Sequence, residues 1–431
     1  MTDLMEAAAA RGEPAAAVEA VAAAEHGLVG TLVPAGAPPT GWRARARPLL
    51  RPAGYYLVSR AVVIVAAFVY AGFNPTLDPV PTMGSIFDGR WYLLIAQHGY
   101  PHRLFNEGDG SRWAFFPAFP TAVRGLAEVT GLSLPDAAVV AAFVFGLTSA
   151  VAIWLAVREV FGAKLADGAV LLLVFCPTAY VLSLGYTEGL FLTAAAGCLF
   201  ALARRWWITA ALCACVAGLS RNAGIVVILA VLVTAVPVAW RERAARPAVA
   251  AVVAPLGLAS FMAYGWAMVG TPLAFLSSEK FWHGQHFVWF RTPIEALVDA
   301  VHGGPAASTF VPDALAGGAL VVGLLGLWWL DQMTKARTGP SPGTTGVAVR
   351  AIPFSWWVYT IGALVVAYSA YFTDSIPRYA MAAFPLFVAF AWKLPARLHW
   401  AAAAVMACLQ CALVVAVLTV ALHPVAVPIV P

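Results

Sequence analysis

Charge is what this sequence has least of. Only 11% of its 431 residues are Asp, Glu, Lys or Arg, against 61% hydrophobic residues and a mean hydropathy of +0.81. A soluble globular protein carries about 25% charged residues to solvate its surface, so this composition excludes one. The net charge of +5 falls mostly in short arginine-rich loops, where it sets membrane orientation; it gives no basic patch for nucleic acid. Cysteine is scarce as well. Cys176, Cys198, Cys213, Cys215, Cys408 and Cys411 all lie in apolar runs without histidine or carboxylate neighbours, so neither a disulfide framework nor a metal cluster is expected. No internal repeat is visible. The start, Met1-Thr-Asp-Leu-Met-Glu6, is acidic where a secretory signal would be basic. Residues 1–52, alanine-rich and poor in large apolar groups, are expected to form a disordered cytoplasmic tail.

What the chain does have is a succession of apolar runs. They cover residues 54–74, 136–157, 167–184, 189–203, 206–219, 223–240, 248–269, 314–330, 354–372, 378–392 and 400–422, predicting about eleven spans. With Arg43, Arg45, Arg47 and Arg51 holding the N-terminus inside, the other basic junctions (Arg158 to Lys164, Arg204-Arg205, Arg241 to Arg246, Lys335 to Arg350, Lys393 to Arg397) fall on the cytoplasmic face. Residues 53–431 thus read as an all-α polytopic membrane bundle. Its long outer loops are 75–135 and 270–313. Counting Trp113 to Gly131 as a span would invert every later loop and bury Arg124 and Glu128 in lipid, so that segment reads as an interfacial helix.

The outer loops carry most of the histidine, aromatic and mixed-sign content, which places a functional surface on the non-cytoplasmic face. In Phe87-Asp-Gly-Arg-Trp-Tyr-Leu-Leu-Ile-Ala-Gln-His-Gly-Tyr100, a short amphipathic helix is predicted to start at Asp88, with Trp91, Leu94 and Ile95 on one face. Asp88 either caps that helix or serves as a proton acceptor just above the bundle.

Three stretches of the first outer loop, Phe87-Asp88-Gly89, Ile95-Ala-Gln-His98-Gly99-Tyr100 and Ala114-Phe115-Phe116-Pro117-Ala118-Phe119-Pro120, resemble the glycosylphosphatidylinositol mannosyltransferase II family and its prokaryotic relatives. The resemblance continues through Tyr186-Thr187-Glu188-Gly189-Leu190-Phe191, Ser220-Arg221-Asn222 with Gly224, and Pro377-Arg378-Tyr379 with Phe384-Pro385-Leu386. It departs at Phe87, where relatives often have tryptophan, and at the insertion around Gly110. It implies a GT-C fold, a polyprenyl-phosphate sugar donor, a lipid or glycan acceptor, and an acid in the first outer loop as catalytic base. Carried onto this chain, Asp88 is that base. His98 and Tyr100 shape its loop, and Tyr186, Glu188, Arg221, Asn222, Arg378 and Tyr379 line the cavity.

Such chemistry needs little machinery. The donor already has a phosphate leaving group, so one carboxylate to deprotonate the acceptor and one or two arginines to hold phosphate suffice. Direct displacement with one base predicts inversion at the anomeric carbon. The arginines could equally be interfacial anchors, or pair with Glu188 or Asp374. No obligatory cofactor is expected. Asp88 lacks a second acid at the short spacing of a divalent-binding pair, and Glu107 with Asp109 reads as a turn. His283 and His286 stand among aromatics without a third zinc ligand, so they are expected to belong to a sugar-stacking surface or a donor anchor. The rival reading is a lipid or glycan transporter or flippase. Against it, the spans after the first have no ionisable residue in their interiors, and Arg60 in the first is expected to snorkel to the cytoplasmic surface.

Overall fold

The computed structural model describes residues 47–105, 111–283, 307–337, 352–368, 378 and 381–422. The predicted tail therefore lies outside the described residues up to 46. Its last residues are already ordered: a 3₁₀ turn at Arg47–Leu49 leads into α1, Leu50–Gly72. The segment after α1 folds as α2 (Pro79–Ser85), α3 (Asp88–His98), a 3₁₀ turn (Arg112–Ala114) and α4 (Ala118–Thr130). The bundle then runs through α5 (Leu134–Phe161), α6 (Ala163–Phe175), a 3₁₀ segment (Pro177–Ser183), α7 (Glu188–Ala203), α8 (Trp207–Ser220), α9 (Gly224–Glu242), α10 (Ala245–Val253) and α11 (Leu256–Val269). After these come α12 (Ala274–His283), α13 (Ala307–Arg337), α14 (Phe354–Tyr368), α15 (Pro385–Lys393) and α16 (His399–Leu422). The described residues are helical throughout, with no strand.

Among the described residues five helices are long and apolar enough to cross a bilayer, or six if the bent pair α6 and Pro177–Ser183 counts as one span. Other predicted spans correspond to shorter apolar helices: α7, α8, Gly318–Thr334 within α13, and Phe354–Ala367 within α14. At 1.5 Å per residue a 16-residue helix reaches about 24 Å, short of a bilayer core of about 30 Å. Such helices are completed by protein around them. The helix α7 shows this best, because most of its residues are buried and it packs between α5, α8 and α9. Its small face allows the approach: a Cβ on Gly189 would stand 2.7 Å from the backbone nitrogen of Gly146 in α5.

One end of the bundle collects the basic junctions. There Arg51 meets Asp167 at 3.0 Å, Arg204 meets Glu159 at 2.7 Å, and Arg205 meets Glu242, joining the ends of α1, α5, α6, α7 and α9. These pairs are largely exposed, so each adds little stability. They show that junctions far apart in sequence share one face.

The run 167–184, expected as one span, is broken. Pro177 has no N–H and disfavours helix at the residue before it; Cys176 is extended (φ −57°, ψ 148°) and the two halves meet at 77°. Inside a membrane the freed carbonyls need donors, and Arg60 supplies them. The expectation that Arg60 snorkels is overturned. It is fully buried, nine residues beyond Arg51 and so about 13 Å deeper along α1. Its guanidinium donates to the carbonyl of Ala179 at 2.6 Å, Ser183 Oγ at 2.9 Å, Ser59 Oγ at 2.9 Å, the carbonyl of Val174 at 3.1 Å and Gln410 Oε1 at 3.1 Å.

The segment Trp113 to Gly131, expected to be an interfacial helix, forms α4 with Phe119, Pro120 and Val123 buried and Val129 exposed. Arg124 and Glu128 pair along its surface at 2.8 Å. That helix starts at Ala118, and Trp113 instead sits in a buried aromatic cluster with Tyr100, Phe116 and Phe261. On α3 the predicted start at Asp88 is met, but the face differs. Gly89, Tyr92, Ile95 and Ala96 are buried, whereas Trp91 and Leu94 are half-buried.

Candidate functional site

Asp88 is the first residue of α3, yet it does not cap it. The N-cap position is Phe87, and no side chain caps that end. Phe87 has φ 51° and ψ −118°, a backbone region that costs a bulky side chain on the order of 1–3 kcal/mol. The kink turns α3 away from α2 and leaves the carboxylate of Asp88, 30% exposed, free to meet a distant partner. That partner is Arg378, whose Nη1 donates to Asp88 Oδ2 at 2.5 Å across 290 residues of sequence. Among the described residues Oδ1 of Asp88 makes no hydrogen bond.

Arg378 is shared. Its Nε lies 3.4 Å from Glu188 Oε1, and Arg221 Nη1 donates to the same oxygen at 3.0 Å. The result is a chain of alternating charge, Asp88–Arg378–Glu188–Arg221, assembled from the start of α3, the start of α7, the end of α8 and the segment before α15. Glu188, Arg221 and Arg378 are 5%, 10% and 8% exposed at their side chains. Two acids match two bases, which is how such burial is tolerated. Aromatic rings wall the guanidiniums, with Arg378 over Tyr186 at 5.4 Å and Arg221 over Phe191 at 5.7 Å. Glu188 also occupies the first turn of α7, where the helix dipole favours an anion.

Glycines bring the pieces together. The N–H of Gly185 donates to the carbonyl of Met83 at 2.9 Å, and a Cβ on Gly185 would stand 2.3 Å from the carbonyl oxygen of Gly84. Gly84 itself is pressed against Pro135, where a Cβ would fall 2.2 Å from the carbonyl oxygen. Any larger residue would part α2 from the strand of loop that leads to Tyr186 and Glu188, and Asp88 would move with α2 and α3.

Two phenols close the floor. Burial pushes Tyr92 and Tyr186 well above the ordinary tyrosine range, and the carboxylates of Asp88 and Glu188 add in the same direction. Among the described residues the buried Tyr186 hydroxyl and Glu188 Oε2 meet no hydrogen-bond partner. Among the described residues no three of His, Cys, Asp and Glu converge as a metal site would require.

The structure thus gathers Asp88, Tyr186, Glu188, Arg221 and Arg378 into one cluster. Asn222 adjoins it and accepts from the N–H of Ala223 with its own Oδ1, at 2.7 Å. His98 is exposed at the far end of α3. Tyr100 belongs elsewhere: it donates to the carbonyl of Phe115 at 2.6 Å and stacks on Trp113. With Ile95, Arg124, Leu219, Phe261 and Tyr264 it lines a groove of about 400 Å³ farther along α3. Tyr379, His286 and the side chain of His283 lie outside the described residues. Sequence reasoning missed Tyr92, whose burial no local pattern signals, and Arg60. Pro177 in the run 167–184 was the visible sign of the break that Arg60 fills.

Residues 117–266, about a third of the chain, match the family described as dolichyl-phosphate-mannose-protein mannosyltransferase. That stretch contains Tyr186, Glu188 and Arg221 but neither Asp88 nor Arg378. No curated protein matches the chain. Among solved structures, the oligosaccharyltransferase of Archaeoglobus fulgidus in its apo form is similar at 14% identity and a TM-score of 0.50, covering 88% of this chain and 56% of that one. The same enzyme in complex with Zn and sulfate gives 15% identity and a TM-score of 0.44 over 83% of this chain and 53% of that one. The chain therefore spans little more than half the length of the archaeal protein. The likeness is one of fold: the two chains share an all-helical architecture over most of this chain.

Proposed function

We propose that the protein is an inverting glycosyltransferase that moves a sugar, mannose in our reading, from a polyprenyl-phosphate donor to a lipid or glycan acceptor on the non-cytoplasmic face. The carrying observation is the half-exposed Asp88 carboxylate held by Arg378 at the rim of the Glu188–Arg221 pair. Support comes from the match over residues 117–266 and the shared fold. The lipid or glycan acceptor follows the motif resemblance of these loops to the glycosylphosphatidylinositol enzymes.

In this mechanism Arg378 occupies Oδ2 and leaves Oδ1 facing the acceptor. The acceptor hydroxyl gives its proton to Oδ1 as its oxygen bonds to the anomeric carbon. The bond from that carbon to the phosphate oxygen breaks, and the polyprenyl phosphate departs with the electron pair. A donor phosphate seated against the Arg378 guanidinium sets the anomeric carbon beside the carboxylate and has its growing charge stabilised there. Attack opposite the leaving phosphate inverts the centre.

A carrier is the second reading, and the structure gives it one argument the sequence did not. A broken span with a buried cation at mid-depth is a transporter feature. Yet all five hydrogen bonds of Arg60 go to the bundle itself, as for a staple. The test is transfer of labelled mannose from a polyprenyl-phosphate donor in membranes. Asp88→Asn, which keeps shape and folding, is expected to lower the rate about 10²–10⁴-fold. Undiminished transfer by that variant would overturn the assignment, and lipid movement without product would replace it with the carrier.

A further inference from the structure

We propose that Arg60 is a positioning residue for the site: by holding both halves of the broken span it fixes the loop that presents Tyr186 and Glu188. This rests on the reading of the cluster as the catalytic site, although Arg60 lies below it and touches no part of it.

The connection can be followed bond by bond. Val174 lies in the last turn of α6, and its carbonyl accepts from Arg60, from Ser59 Oγ at 2.6 Å and from Gln410 Nε2 at 2.9 Å. Gln410, reaching in from α16, also donates to the carbonyl of Cys176 at 2.7 Å. These groups satisfy the first half of the break. On the second half Arg60 holds the carbonyl of Ala179 and the hydroxyl of Ser183. Two residues after Ser183 comes Gly185, clamped to Met83, then Tyr186, then Thr187, whose hydroxyl donates to the carbonyl of Ser220 at 3.3 Å. Glu188 follows and opens α7. The depth and angle of Pro177–Ser183 thus set where Glu188 meets Arg221 and Arg378.

Charge explains why an arginine stands here. A C-terminal helix end carries partial negative charge on its unpaired carbonyls, and among the described residues Arg60 has no carboxylate partner. Its counter-charge is the exposed backbone of the break. Only a planar, forked cation can reach two carbonyls, two hydroxyls and an amide on four elements at once. A lysine can serve one side of the break at a time.

Two reporters separate positioning from general stability. Cys176 sits in the break and is buried, so with the other cysteines replaced its reaction with a small thiol reagent reads the opening of the bend. Cysteines at Thr187 and Ser220, in a background lacking the native six, read the loop through a short bifunctional thiol cross-linker. In Arg60→Met we expect Cys176 to become reactive, the cross-link yield to fall, and kcat to drop about 100-fold with the acceptor KM little changed. Arg60→Lys should restore part of each. If Arg60→Met does not accumulate, Ser183→Ala removes one bond of Arg60 and Gln410→Leu removes another together with the amide's two bonds to the carbonyls of Val174 and Cys176; both should move all three readouts the same way by less. The proposal is overturned if Cys176 reacts while cross-linking and kcat stay at wild-type values, or if none of these variants exposes Cys176. A wild-type chain that transfers no sugar would sink the enzymatic reading alone, because thiol reaction and cross-linking would still decide the role of Arg60.

Discussion

Removing both members of the Glu188–Arg221 pair should cost clearly less than the two single removals added together. The two side chains are 5% and 10% exposed, with a 3.0 Å contact, so a charge deprived of that contact has little water to replace it. Truncating one partner of such a pair costs about 3–5 kcal/mol. The two single changes are not equivalent. Glu188→Met takes from Arg221 its 3.0 Å contact and from Arg378 its second carboxylate, although Arg378 keeps Asp88; its cost belongs toward the upper end of that range. Arg221→Met leaves Glu188 with Arg378 Nε 3.4 Å away, so its cost belongs nearer 3 kcal/mol. In the double variant no stranded charge remains. Two apolar side chains of similar volume fill the space, and the total should fall short of the sum by roughly 2 kcal/mol, about 30-fold in the unfolding equilibrium. Unfolding by SDS from mixed micelles, followed by tryptophan fluorescence with reversibility checked, gives the four free energies. Additivity within about 0.5 kcal/mol would refute the reasoning, since independent sites add to that precision. It would mean that water screens the pair.

Gly185→Ala should separate α2 from the loop before α7, because its Cβ would stand 2.3 Å from a carbonyl oxygen; about 2 kcal/mol or more of stability should be lost together with transfer activity. Gly125→Ala, on α4 with nothing within 4 Å, should gain about 0.5–1 kcal/mol and leave activity alone. Thermal inactivation of the two variants side by side checks both. The buried phenols of Tyr92, Tyr100 and Tyr186 are all raised in the folded chain, so the folded state holds protons that the unfolded state releases above pH about 10. Stability is then fully present below pH 10 and falls as pH rises above it, by up to about 1.4 kcal/mol per pH unit for each phenol. Tyr92→Phe should shallow that slope in a pH series of unfolding midpoints, and an unchanged slope would contradict the burial.

Much of this protein could be read along the chain. Helix α3 begins at Asp88 as its pattern predicts, and the basic junctions at Arg51, Arg204 and Arg205 gather at one end. The residues singled out as Asp88, Tyr186, Glu188, Arg221 and Arg378 meet in space. Reading failed where a local pattern was ambiguous. Trp113 looked like the start of an interfacial helix, yet a polar turn, Arg112–Ala114, buries it against Tyr100 instead. The apolar run 167–184 hid a break because hydropathy averages over Pro177.

Hydropathy and charge bias are sums over neighbours in sequence, so the sequence alone determined a membrane bundle, its sided loops and the residue types available for chemistry. Partners are a different matter. That Arg378 takes Asp88 across 290 residues, that Glu188 serves two guanidiniums, and that Arg60 turns inward to a broken helix instead of outward to the surface were decided only by tertiary structure. Each buried charge and each freed carbonyl must find its complement somewhere in a water-poor interior, and which one it finds depends on how the helices pack.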